Sequence, residues 1–488
     1  MNLETARRAE LVACVAEQAA TIVAQAGTMA ALMVRIKELE DRLATDSHNS
    51  SKPPSTDRAR RTRSLCRRSG KKPGGQPGHA GHTRVLGETA DRVEAHHPTA
   101  CAQCGANLTD TAGSVAERRQ VVDLPPLHLE VVEHQAERVV CPTCGAATIA
   151  AFPAAVVQSV QYGPQLQALG VYLREYQLLP AERASELLAD LFGAGPAVGT
   201  IETAVERCAA QLETTDAAIK DAVRASAVAH FDETGCAVAG QRHWLHVAST
   251  PTLTSYAHHV HRGTEASAEI GILPHFRGRA VHDAWSAYFA YPDCRHALCN
   301  AHHLRELTFV AERDGQAWAV QLGDLLREMN TRMATVRAAG GTALDAATRQ
   351  DVGERYQRLV EDGLRANPPS EEPRRPGQRG RVKQSKARNL AERLGRHQQE
   401  VLAFLDDFAV PFENSLAERD LRMVKVQQKI SGCFRSTDGA DHFCRIRGYI
   451  ATVRKQGEPV LSTLQRLFTG DPLLLKLKPQ SLPRINSP

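Results

Sequence analysis

Apolar residues recur along this chain with several different spacings, and the changes of spacing mark its parts. Between residues 11 and 43 the repeat is seven: Val15, Ile22, Met29, Ile36 and Leu43 hold one position, and Leu11, Leu32 and Leu39 its partner. Those are the a and d positions of a coiled coil, clean from 29 to 43 and weakened earlier by Gln18, Gln25 and Gly27. A self-pairing helix over 1–46 is expected, with a single helix packed on its own chain as the other reading. Residues 119–140 alternate instead, through Val121, Leu124, Leu127, Leu129, Val131 and Val139, which predicts a β-hairpin. From 160 to 222 the pattern is helical: Pro164 and Pro180 open helices, and Gly193-Ala194-Gly195-Pro196 breaks before a third. Residues 183–188 followed by 199–202 have the layout of a helix-turn-helix. Glu202, Glu206 and Glu213 make its last helix a poor groove reader, so a packing or phosphate-touching helical domain competes with recognition.

Further on, 227–231, 244–248, 255–260 and 278–281 read as strands, with a short helix at 264–272 before the last of them. Helical spacing returns at 303–366 and 385–408, for example through Leu322, Leu325, Leu326, Met329 and Met333. The reading is a multidomain α+β and α/β protein. After the helical domain comes a strand-based core in two parts, 223–310 and 409–455. A mostly helical insertion, 311–408, interrupts it, and 456–488 is left as a tail.

Charge changes the picture in the gaps between these patterns. Residues 47–95 form a basic linker: from Ser47 to Arg84, ten Lys and Arg residues face only Asp57. Such a stretch cannot bury a core and is expected to be disordered alone. As a solvated spacer or as a tether on DNA phosphates, its candidate contacts are Arg60, Arg61, Arg67, Arg68, Lys71 and Lys72. A second basic run, Arg374 to Arg388, lies inside the insertion and admits the same two readings. The net charge of +5 is small, and 42% hydrophobic content over 488 residues supports several cores. No apolar run of about 18–20 residues and no secretory leader is evident, so a cytoplasmic protein without membrane contact is expected.

Eight of the twelve cysteines are scattered singly, and four are not. Cys101-Ala-Gln-Cys104-Gly105 and Cys141-Pro-Thr-Cys144-Gly145 are matched knuckles, each placing two thiols on one tight turn with Gly after the second. Four thiolates complete a tetrahedral zinc site that is closed and structural. A zinc ribbon over 96–152 is expected; a redox pair or plain thiols are the alternatives.

The candidate chemistry lies in three acids. Asp232 and Asp283 end apolar runs read as strands, and Glu418 sits in a helical segment, 411–422, rich in cations. Acids at strand ends converge although distant in sequence, and carboxylates with substrate phosphate oxygens hold Mg²⁺. A pair of such ions clamps the attacking and leaving oxygens of a phosphoryl displacement. Arg422, Lys425 and Lys429 follow Glu418 at helical spacing, so one face shows an acid and then three cations.

The wording around the acids carries a resemblance. His-Phe-Asp-Glu-Thr-Gly (230–235), Cys-Asn-Ala-His-His-Leu-Arg-Glu-Leu (299–307) and Ala-Glu-Arg-Asp-Leu-Arg (417–422) are similar to the insertion-sequence-66 type of bacterial transposase. So are segments 50–55, 72–79 and 431–436, and the motifs run in the family's order from about 45 to 455. Two departures stand out: Glu413-Asn414-Ser415 where the family usually has Asp-Asn-Asn, and Cys433 where it has Gly. The resemblance implies a ribonuclease-H-like core of the DDE superfamily. It also implies catalysis by Asp232, Asp283 and Glu418 with Mg²⁺ or Mn²⁺, and small companion proteins from the same element. Cys299 and His302 repeat a Cys-x-x-His pair of related transposases. They support the site by packing or hydrogen bonding, or they begin a second metal site whose remaining ligands the sequence does not reveal.

The expected function is a DNA transposase that binds element ends, cleaves a strand with metal help and joins it to target DNA, acting as a homodimer or higher assembly. A DNA-binding regulator with an inert core is the alternative, and a metallonuclease without a joining step is a third.

Overall fold

The computed structural model describes residues 3–46, 48–50, 84–370 and 382–477. Arg60, Arg61, Arg67, Arg68, Lys71 and Lys72 of the basic linker, and 374–381 of the second basic run, lie outside the described residues. The chain divides into two compact units: Leu65–Ala155 with Leu188–Gly195, and the remainder.

In the smaller unit the backbone turns tightly at each cysteine pair. Strands β1 (Arg138–Val140) and β2 (Ala147–Ile149) pair antiparallel around the second turn. An isolated bridge between Ala100 and Asn107 flanks the first. The hairpin expected over 119–140 reduces to β1 at its far end. Val121 and Val131 are 92% and 90% exposed. Pairing needs a second apolar layer to cover the alternating face, and a segment this small cannot supply one.

The larger unit is built on a mixed five-stranded sheet in the order β5-β4-β3-β6-β7. Strands β3 (Val228–Val238), β4 (Gln241–Ser249) and β5 (Thr254–His259) run antiparallel, while β6 (Arg279–His282) and β7 (Arg295–Leu298) run parallel to β3. Ala239 and Gly240 both have positive φ, the two-residue turn whose twist suits a hairpin. The chain leaves β5 through the helix Thr264–Ile270 and returns to β6 past Gly278, where a Cβ would meet the Ser226 carbonyl at 2.5 Å. Strand β7 was not expected; Arg-His-Ala-Leu is too short to show a period.

The insertion is helical: Asn300–Asp314, Ala317–Ala338, Ala346–Ala366 and Lys386–Arg396. Leu322, Leu326, Met329, Tyr356 and Leu394 pack in one cluster with Val281 of β6 and Leu298 of β7, so the insertion shares a core with the sheet. The antiparallel strands are covered by the helices Ser415–Ser431 and Thr437–Lys455, through Leu245, Val247 and Tyr256 against Leu421, Val424 and Phe443. The 160–222 region has its helices between the expected breaks, at Pro164–Val171, Ala181–Phe192, Val198–Gln211 and Glu213–Arg224. The expected tail differs. Val460–Phe468 is a helix whose Leu464 and Leu467 pack with Ala168, Val205 and Ile450.

The heptad segment is one continuous helix, Leu3–Ala44. Its repeat residues are exposed, from 43% at Leu39 to 67% at Leu43, and so do not pack on their own chain. Near its end, Glu40 and Asp41 pair with Arg313 at 2.6 and 3.1 Å. Against expectation, Glu10–Ala44 is apolar enough to cross a membrane by length and composition, with mean hydropathy 1.4. Residues 18–34 carry no charge, and Ile22, Val23, Met29, Leu32, Met33 and Val34 among the alanines account for that value.

Candidate active site and metal centres

Asp232 and Asp283 meet through strand register. Strand β6 pairs with β3 as Val228↔Arg279, Ala229↔Ala280 and His230↔Val281, and two further steps set Asp232 beside Asp283. Asp283 ends β6 as expected, but Asp232 lies in the middle of β3, which continues against β4 alone. Each acid caps its own backbone: Asp232 Oδ1 accepts the Glu233 N–H at 2.8 Å, and Asp283 Oδ1 accepts the Trp285 N–H at 2.9 Å.

Glu418 arrives from the first turn of the Ser415–Ser431 helix. That helix begins at Ser415, not near Pro411, so Glu413 lies before it and is exposed, whereas Glu418 is half-buried. The placement depends on Asn414, the residue before the helix. Its Nδ2 donates to the Phe231 carbonyl at 2.9 Å, so its Oδ1 is left to accept the Nδ1–H of His230 at 2.8 Å. Its backbone N–H donates to Cys299 Sγ at 3.1 Å. Asp420 anchors the next turn of the same helix. It accepts from Ser249 Oγ at 2.6 Å, Thr254 Oγ1 at 3.1 Å and Lys455 Nζ at 2.7 Å. Lys455 Nζ also donates to the Thr250 and Leu253 carbonyls, so all its donors are used. Neither Asn414 nor Asp420 was given a role from the sequence; the partners of Asn414, and Ser249 and Thr254 beside Asp420, lie more than a hundred positions away.

The electrostatics are those of crowded carboxylates. Burial pushes Asp232 well above the usual carboxylate range, and the charges of Glu233, Asp283 and Glu418 push it the same way. Glu233 is also raised by burial, but it has its own cation. Arg262 pairs with it at 2.5 Å, and the Tyr288 hydroxyl donates to its other oxygen. The Arg262 guanidinium stacks between Trp244 and Trp285, with centroids 5.0 and 4.1 Å away. Burial lowers His230 to about 4 and His282 to about 3, so both imidazoles beside the acids are neutral. Arg422, Lys425 and Lys429 are exposed along the Glu418 helix, and Lys425 Nζ is tied to the Gly235 carbonyl at 2.9 Å.

Among the described residues, one group of three potential ligands has its atoms within 4.8 Å of one another: Cys299, His302 and Glu418. The three acids do not form such a group. Nor do the ribbon thiols, although each knuckle is formed. Gly105 N–H donates to Cys101 O and Gly145 N–H to Cys141 O, both at 2.9 Å, with Gly105 and Gly145 at φ of 74° and 69°. The backbone N–H of Cys104 holds the Cys101 thiol below its ordinary value, and that of Cys144 brings Cys141 to about 7. Both turns therefore favour thiolates, the form a metal takes.

Carboxylates brought near one another on a mixed sheet are one setting for metal-assisted phosphoryl transfer. Residues 159–442, more than half of the chain, match the model described as the Transposase IS66 family, and the chain belongs to that family. Residues 98–145 match the zinc-finger binding domain of transposase IS66, which supports structural zinc in this segment. Residues 2–85 match a family of unknown function. No curated protein matches the chain.

Proposed function

We propose that Asp232, Asp283 and Glu418 are the catalytic carboxylates of this transposase and hold Mg²⁺ or Mn²⁺ against a DNA phosphate. The observation carrying this is the register that sets Asp232 beside Asp283: burial raises the Asp232 carboxyl, the adjacent Glu233 and the distant Asp283 and Glu418 add their charge, and among the described residues no cation pairs with it. An all-oxygen donor set fits a hard divalent ion, whose charge relieves that crowding. When bound, the ion activates water and neutralises the charge developing on the phosphate. The chain's own residues do the rest. Asn414 and Asp420 hold Glu418 in place, and Arg262 neutralises Glu233. The exposed Arg422, Lys425 and Lys429 lie along the phosphates of the bound strand. Water cleaves the strand at the element end, and the freed 3′-hydroxyl attacks target DNA, with no covalent protein–DNA bond.

The sheet order, with three antiparallel strands followed by two parallel ones, supports a ribonuclease-H-like core interrupted by the helical insertion. Cys101, Cys104, Cys141 and Cys144 are the four zinc ligands. The exposed heptads of Leu3–Ala44 pair with a second copy, and the basic linker tracks phosphates without reading bases. Companion proteins join the assembly as in the family the chain resembles.

Glu418→Gln keeps size and removes the charge a metal needs. It should lower Mg²⁺-dependent cleavage and joining of labelled element-end DNA by at least ~10²-fold, more than loss of a supporting residue around a metal. DNA binding should remain. Glu413→Gln should leave activity intact, and the reverse result would overturn the assignment.

A further inference from the structure

Cys299, His302 and Glu418 form a ligand set of a different kind from the acids. Cys299 precedes the Asn300–Asp314 helix and His302 is in its first turn, while Glu418 is in the first turn of another helix. The two helix starts are fastened together: Asn300 N–H donates to the Phe412 carbonyl at 3.0 Å, and Asn414 N–H to Cys299 Sγ at 3.1 Å. All three ligand atoms fall within 4.8 Å, and His302 Nδ1 is buried without a hydrogen-bond partner, 3.8 Å from Glu418 Oε1. Ligand atoms around tetrahedral zinc are about 3.5 Å apart, so small side-chain rotations close the site. A thiol, an imidazole and a carboxylate suit a borderline-soft ion, whereas Mg²⁺ takes oxygen. Three protein ligands leave a fourth position for water.

We propose that Cys299, His302 and Glu418 bind a thiophilic divalent cation of the zinc class, and that this ion withdraws Glu418 from Asp232 and Asp283. On binding, the Cys299 S–H bond breaks, an S–metal bond forms and the proton leaves to solvent. One proton is thus released from the thiol per ion bound. The withdrawal rests on Glu418 being a catalytic carboxylate; the binding does not.

The test uses the full chain with its ribbon zinc in place. Metal analysis should find about two zinc ions per chain, one beyond the closed ribbon site. Cobalt titrated into the one-zinc protein should give a thiolate-to-metal absorption that Cys299→Ser abolishes. His302→Ala, at a partly exposed position, should weaken cobalt binding at least ~10-fold. One zinc per chain with no such absorption, or an absorption surviving both substitutions, overturns the site. Added zinc should also slow Mg²⁺-dependent cleavage, reversibly by chelator, and His302→Ala should need about tenfold more zinc. Zinc that binds as described without slowing cleavage overturns the withdrawal. A Glu418→Gln chain that still cleaves DNA would remove the catalytic assignment alone, and the cobalt titration would still decide whether the site binds metal.

Discussion

The ribbon and the acidic site gather their proposed metal ligands in opposite ways. In the ribbon, ligands come as adjacent pairs on tight turns, but little else holds the segment: most of its apolar residues, Val121 and Val131 among them, face solvent. At the acidic site, the proposed ligands come from segments 51 and 135 positions apart, on a sheet and helices whose cores are already closed. One region has its ligands and lacks a framework; the other has the framework and imports its ligands. Metal should therefore be a folding partner for the first and only a catalytic one for the second.

Removing zinc gives the largest expected difference. Structural zinc contributes roughly 10–16 kcal/mol in small zinc domains, far more than the ribbon's own packing. Cys104→Ser should release about one zinc and open residues 96–150 to protease, while the melting transition of the larger unit stays within about 1 °C. If both units lose protection together, the contrast between them is wrong.

The framework side is tested at Asp420. Its carboxylate and Lys455 are both largely buried, 13% exposed, and bonded at 2.7 Å. Asp420→Ala leaves the ammonium without its counter-charge, a loss of about 3–5 kcal/mol for a buried pair. Melting should fall accordingly, and cleavage should fall with it at temperatures where the chain is still folded, because the helix carrying Glu418 loses an anchor one turn on. Unchanged activity in the folded variant would mean that Glu418 is placed by other contacts.

What could be read from the sequence follows the same division. The knuckles, the proline helix starts and strands β4 and β5 were legible because their signal lies within a few neighbouring residues. The acids were legible as chemistry but not as geometry. Asp232 was expected at a strand end and sits mid-strand, since only the register with β6 shows where pairing stops. Strand β7 and the helix Val460–Phe468 are short segments ordered by tertiary burial. Asn414 and Glu418 were both visible as letters. That one fastens the helix and the other joins Cys299 and His302 depends on contacts with segments more than a hundred positions away.

Acid should distinguish the imidazoles from the carboxylates at the site. His230 and His282, held at about 4 and about 3, lie below the unfolded value near 6.5. The unfolded chain therefore takes up protons first. Stability present above pH ~6.5 is lost as pH falls toward the folded values, by about 2 kcal/mol per histidine at pH 5. Asp232 and Glu233 are raised by burial, so their effect has the other sign and eases on acidification. Melting curves of the wild type and His282→Asn should converge between pH 7 and pH 5. A constant offset would show that His282 is not held neutral.

The smallest expected effect is the most specific to the acidic site. Asn414→Ala leaves His230 Nδ1–H and the Phe231 carbonyl unpaired in a buried place, about 1–3 kcal/mol by the usual cost of such groups. The backbone N–H that donates to Cys299 survives the change, so the helix start keeps one of its fastenings. Folding should persist while Glu418 gains freedom relative to β3. Cleavage should then need more Mg²⁺ for the same rate, with the shift seen in the metal dependence rather than in DNA affinity. Asn414→Asp offers a carboxylate oxygen to His230 but no N–H to Phe231, and it adds a charge beside the acids. It should be worse than alanine for melting at pH 7 and should recover toward alanine at pH 5. If the two variants have the same metal dependence as the wild type, Asn414 only closes the fold, and the position of Glu418 is set from Asp420 alone.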